Sequence, residues 1–232
     1  MLKRWLNPPA AALGLLAFLS PALAGADDPP ERTTPATPEF IANTSEVPDL
    51  DDWGKKAKAL CETWYPRIAE MLATPGETPP PKTVELLFRK EMNGIADAGG
   101  NRIRISAAWV RAHPDDLGMV VHELTHIVQH YPRSRNSPGW LVEGIADYVR
   151  HSHFEPDARM PRLNARRSSY RDSYKTTAAF LAWLETTQDP QIVATLNRAL
   201  RLGKYRDELF EERTGRNLDE LWQDYTDARK SP

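Results

Sequence analysis

The densest supply of reactive side chains lies in Asp115-Asp-Leu-Gly-Met-Val-Val-His-Glu-Leu-Thr-His-Ile-Val-Gln-His-Tyr131, which is followed by Pro132. His122 and His126 stand four residues apart. On an α-helix their rings therefore lie one above the other, about 6 Å apart, and can converge on one metal ion. Glu123 projects about 100° away from them. Its carboxylate is left free to take a proton from a metal-held water, which is general-base chemistry suited to hydrolysis.

A tetrahedral hydrolytic zinc needs three protein ligands and one open position. His130 continues the four-residue series, but it would stand about 12 Å along the axis from His122, too far for bonds near 2 Å. It reads as a helix-end or surface residue. Glu143 is the better third ligand. It lies in Trp140-Leu-Val-Glu-Gly-Ile-Ala-Asp-Tyr-Val-Arg150, where apolar residues recur at helical spacing and Glu143 and Asp147 share one face. One carboxylate can then ligate while Asp147 accepts the second N–H of a ligand histidine.

Two histidines on one helix and a glutamate on the next form the gluzincin pattern of thermolysin-like peptidases. The metzincin pattern fails, because it wants Gly and His where this chain has Gln129 and Pro132. The run His122-Glu-Leu-Thr-His-Ile-Val-Gln129, followed by Gly139 to Arg150, resembles the basic secretory protein family of plant and bacterial metallopeptidases. Gly94 to Ser106 before the motif and Tyr174 to Leu181 after it fit as well, so the resemblance covers about residues 83 to 226. It implies a zinc peptidase. The chain departs from the family's name, since it carries a formal charge of −2 at pH 7.

The elements that must position these residues follow from the hydrophobic pattern. Leu117, Val120, Val121, Leu124, Ile127 and Val128 make the histidine segment a buried helix, capped by Asp115 or Asp116 and stopped by Pro132. Its polar groups are costly to bury without a partner such as a metal. Arg102-Ile-Arg-Ile-Ser106 alternates with period two and reads as a strand, after turn signals at Asn93-Gly94 and Gly99-Gly100-Asn101. The family resemblance implies that this strand borders the cleft and pairs with extended substrate backbone. Thr83 to Glu91 predicts another strand, and Asp51 to Leu72 a helix burying Trp53, Ala57, Leu60, Trp64, Ile68 and Met71.

Tyr174 opens a further helix, from which Ala178, Leu181 and Leu184 pack inward. It is the proposed donor to the carbonyl oxygen on which hydrolysis develops negative charge. His151 and His153, separated by one residue in a charged region, read as facing solvent. The C-terminal part reads as helices over Pro190 to Leu202, Asp207 to Arg213 and a final segment capped by Asn217 with Glu220.

At 232 residues, 41% hydrophobic and 27% charged, the chain has room for one sizeable core. No basic stripe suggests nucleic acid, and no long apolar run beyond the N-terminus suggests a membrane span. Residues 1–24 read as a signal peptide, with Lys3 and Arg4, an apolar core from Ala10 to Ser20, and a small-residue end at Ala22-Leu-Ala24. Its removal takes the charge from −2 to −4 and leaves a secreted or periplasmic chain. Ala26 stands where a lipidated cysteine would be. Residues 25–48 hold five prolines and read as a linker, leaving 49–232 as the catalytic domain. Cys61 is the only cysteine, so no disulfide forms within the chain, and it reads as a small buried residue.

The expectation is an α+β, zincin-like fold, with a small mixed sheet, an active-site helix and a mostly helical C-terminal part. The expected function is peptide hydrolysis, with Zn2+ as cofactor and a peptide or protein as substrate. A cell-wall amide hydrolase with the same chemistry, and a non-catalytic zinc-stabilised binding protein, are the alternatives. Glu123 argues against the last, since a closed structural site has no use for a carboxylate beside its ligands. No sequence feature sets the oligomeric state or the cleavage specificity.

Overall fold

A computed structural model describes residues 37–72, 79–132, 137–157, 163 and 167–229. The predicted signal peptide, most of the predicted linker, and parts of the Pro75 to Pro81 and Pro132 to Gly139 segments lie outside the described residues. Among those described, the chain is mixed α/β and mostly helical, with one four-stranded sheet and eight α-helices. No described helix is long and apolar enough to cross a membrane.

Strand β1 (Glu39–Asn43) leads through helix α1 (Asp51–Met71) to β2 (Thr83–Arg89), which lies parallel to β1. The hairpin of β3 (Ala96–Gly99) and β4 (Arg102–Ser106) follows, with β4 parallel to β2 and antiparallel to β3. The order is therefore β1-β2-β4-β3, and β3 is an edge strand. Gly100, with φ 61°, makes the hairpin turn, a conformation that costs glycine least.

The period-two pattern sorts the faces of the sheet. Val84, Leu86 and Phe88 of β2, with Ile103 and Ile105 of β4, point into the core. The other face is ionic, with Arg102 on Glu85 and Arg104 bidentate to Asp97. Helices α1 and α3 (Gly118–Gln129) pack together beside this sheet.

Helix α1 buries Trp53, Ala57, Cys61, Tyr65 and Ile68, while Leu60, Trp64 and Met71 are only half-buried, so its core face is rotated from the expected one. Cys61 is fully buried, as expected, and burial pushes its thiol pKa well up.

The predicted linker needs correcting at its end. Residues 39–43 form β1 and 48–50 a 3-10 turn, with Phe40 and Val47 in the core. Proline-rich composition concealed a strand whose apolar side chain has a sheet to join. The strand expected to border the cleft is corrected too. Strand β4 lies inside the sheet, and the short helix α2 (Ala107–Ala112) separates it from α3.

Helix α3 is followed by α4 (Gly139–Tyr148), a π-helical turn (Val149–Phe154) and α5 (Tyr174–Thr187). The α4–α5 contact leaves no room at Gly144, where an added Cβ would stand 2.6 Å from Thr177 Cβ. Thr177 is itself held by its hydroxyl, which donates to Tyr170 O at 2.6 Å. Helices α6 (Ile192–Arg201), α7 (Glu208–Thr214) and α8 (Leu218–Ala228) complete the core. The expected Asn217/Glu220 capping box starts α8, and Phe180, Trp222 and Tyr225 cluster between α5 and α8.

Candidate metal centre and its cleft

Helix α3 starts at Gly118, and Asp116, two residues earlier, accepts from Met119 N at 3.3 Å. It ends earlier than Pro132 suggests, because His130 turns left-handed (φ 40°) and exposed after Gln129. His130 thus sits at the helix end, as expected. Within α3, His122 and Glu123 are buried and His126 nearly so.

Three ligand-type atoms meet. His122 Nε2 lies 3.2 Å from His126 Nε2, and Glu143 Oε2 lies 3.2 Å from the first and 3.4 Å from the second. Bonds of about 2.1 Å at tetrahedral angles separate ligand atoms by about 3.4 Å. The triangle therefore fits one tetrahedral ion with its fourth position open. Among the described residues, this trio is the one group of three or more such side chains placed to hold a metal.

The outer hydrogen bonds decide which ring nitrogens face the centre. Asp147 Oδ1 lies 2.8 Å from His122 Nδ1, and a carboxylate there makes Nδ1 the donor. Gln129 Nε2 donates to Val142 O at 3.0 Å, which turns Oε1 toward His126 Nδ1 at 2.7 Å. Both Nδ1 atoms are thus occupied as donors. Two ring lone pairs and a carboxylate oxygen then face one another, an arrangement that needs a cation between them. Sequence reasoning placed Asp147 and missed Gln129, although a side-chain amide three residues after His126 on one helix was the available signal.

The electrostatics show the same demand for positive charge between these groups. Burial disfavours the His122 imidazolium, but the bonds to Asp147 and Glu143 outweigh it and raise its pKa to about 9. Burial alone would raise Glu143, but the two histidines bring it down to about 2. Glu123 is raised, first by burial and then by Glu143 and Asp97, with the histidines opposing.

Glu123 and the trio open onto a cleft of about 630 Å³, whose other walls include Ile95, Asp97, Met119, Arg150 and Tyr174. The wall beside the sheet is the edge strand β3. Its Ala-Asp-Ala-Gly sequence has poor strand propensity and gave no signal of its own.

Tyr174 is the first residue of α5, whose N-cap Ser173 accepts from Thr176 N. The residue is 52% exposed, and its ring stacks on His122 with centroids 6.2 Å apart. Nearby Glu143, then slight burial, raise its pKa, so the hydroxyl keeps its proton. Tyr170 is buried in the aromatic core instead. The reading of His151 as solvent-facing is wrong. The π turn swings it inward to 3% exposure, while His153 stays at the surface against Tyr148.

Fold and site together define a mixed α/β chain with a candidate metal centre at the floor of an open cleft. Residues 51–225 match the BSP family, described as peptidases of plants and bacteria, and the chain belongs to that family. Searches of curated proteins and of solved structures give no match.

Proposed function

We propose that the chain is an exported zinc-dependent peptidase with a zincin-like active site, in which His122, His126 and Glu143 hold the ion. The observation that carries this reading is the triangle of ligand atoms spaced for a tetrahedral ion beside the buried carboxylate of Glu123, in a chain of a peptidase family. Zinc, when bound, acts as a Lewis acid and lowers the pKa of a water ligand towards about 7.

The chain's own groups do the rest. Glu123 takes a proton from the attacking water and passes it to the leaving amine, and its burial suits it to hold that proton in between. Asp147 and Gln129 fix the tautomers of the two histidines. The Tyr174 hydroxyl donates to the oxygen on which charge develops. An extended peptide lies along the edge of β3, reading main chain there, with Ile95 and Met119 offering apolar contact. Residues 1–24 direct export.

The test is zinc content and casein cleavage for the mature chain, for Glu123→Gln and for Glu143→Ala. Wild type and Glu123→Gln should each bind one zinc while only wild type cleaves, and Glu143→Ala should lose the metal. Full zinc in Glu143→Ala would remove the ligand assignment. Zinc in wild type without casein cleavage would move the cell-wall hydrolase ahead, with peptidoglycan as the next substrate.

A further inference from the structure

His151 is a buried titratable group that this chemistry does not use. It sits on the π-helical turn directly after α4, and neither ring nitrogen has a hydrogen-bond partner. An orphaned buried polar group is costly, so its retention calls for a reason. Turns of this kind occur often at functional sites.

The surroundings supply that reason. His151 Nε2 lies 3.7 Å from Asp147 Oδ2, the carboxylate oxygen that His122 leaves free, and Nδ1 lies 3.6 Å from Glu155 Oε2. Either gap closes to a hydrogen bond with a shift of roughly 0.7–0.8 Å. Glu155 is fixed by Arg150 Nε at 2.9 Å, and Arg150 also donates at 2.7 Å to Asp116, which accepts from Met119 N in the first turn of α3. Gly118 leaves space for this pair, since a Cβ there would stand 2.6 Å from Arg150 Nε. The π turn thus ties the start of the histidine helix to the back of Asp147.

We propose that His151 is a positioning residue for the metal centre. It donates from Nε2 to Asp147 Oδ2 and so holds the carboxylate in the orientation that presents Oδ1 to His122. A carboxylate held at one oxygen can swing about its Cβ–Cγ bond, whereas one held at both cannot. The inference rests on the proposed zinc site and adds a third layer behind its ligands.

Two readouts test it, one of them independent of metal. In the metal-free chain, histidine 15N shifts should show a proton on His151 Nε2; an unprotonated Nε2 overturns the proposal. The second readout is zinc affinity by competition with a chromophoric chelator. His151→Phe keeps ring bulk and should lose about fivefold in affinity, below the ten- to hundredfold typical of direct outer partners. His151→Gln, which places an amide near the Nε2 position, should restore it. The Phe loss should also vanish in an Asp147→Ala background, whereas a packing role would persist there.

Wild-type affinity in His151→Phe, or a loss that adds in full to Asp147→Ala, overturns the proposal. If the Phe variant does not fold, His151→Asn replaces it, because its shorter amide reaches toward Glu155 rather than Asp147. Asn should then lose affinity and Gln keep it, and equality overturns the inference. Wild type that binds no zinc overturns the underlying reading, whereas wild type that binds zinc regardless of His151 overturns this inference alone.

Discussion

The floor of the cleft and its rim are built on opposite plans. On the floor, the outer ring nitrogen of each histidine has a partner within the two helices. His122 leans on Asp147, His126 on Gln129, and Gln129 on the backbone of α4. At the rim, Tyr174 is half exposed on the capped first turn of α5, and Ile95 stands just before an edge strand. The difference separates two jobs. A metal site must be rigid before the ion arrives, because freedom lost on binding weakens affinity, while substrate contacts must open to admit a chain. Changes to the floor should therefore register in metal affinity, and changes to the rim in turnover.

The largest effect expected from this division is at the rim. Tyr174→Phe should lower kcat by about 100- to 1000-fold, the range for one oxyanion donor, with zinc affinity unchanged. The ring still stacks on His122, so the loss isolates the hydroxyl. Unchanged kcat, read beside unchanged zinc content, would remove Tyr174 from the chemistry and leave it as a wall.

The floor comes next, and its two supports differ. Asp147 carries charge to His122 from another helix, while Gln129 is a neutral amide on His126's own helix. Outer-shell partners of this kind are worth about ten- to hundredfold in metal affinity. Asp147→Ala should fall at the upper end and Gln129→Ala at the lower, measured by chelator competition. Equal losses would mean that orientation, not charge, is what the supports provide.

Much of the floor was legible in the sequence, because it depends on spacing within helices. His122, His126, Glu143 and Asp147 recur at intervals that bring them together whenever their segments are helical. What escaped was set by tertiary structure. Strand β1 was hidden by flanking prolines, and β3 exists because β4 pairs with it rather than because Ala-Asp-Ala-Gly favours extension. His151 escaped because a π turn after α4 changes the angular spacing, carrying to the interior a residue that polar neighbours made look exposed. Gln129 carried a signal, its place three residues beyond His126, that makes sense only once Val142 O is known to fix the amide.

A third change probes what the two floor supports share. Asp147, Glu143 and the Val142 carbonyl all ride on α4, whose seat on α5 depends on the missing side chain at Gly144. In an open helix, Gly→Ala stabilises by roughly 0.5–1 kcal/mol. Here the added methyl meets the body of Thr177, itself held to Tyr170 O, so the helices must separate. Gly144→Ala should cost about 1–3 kcal/mol on chemical denaturation and lower zinc affinity as well. Stabilisation instead would show that α4 is free to shift, and the pre-set floor would lose its basis.

The smallest expected effect returns to the rim. Ser173 caps α5 through Thr176 N, and Tyr174 is the next residue in the chain. Removing such a cap costs about 1 kcal/mol, which lowers Tm by roughly 2–4 °C in a chain of this size. Zinc affinity should not change in Ser173→Ala, because no ligand or ligand support is carried on the first turn of α5. Turnover should fall modestly, since the hydroxyl of Tyr174 is then presented by a frayed turn. A fall in zinc affinity would show that the cap reaches the floor through the Tyr174 ring on His122, and the two regions would have to be treated as one.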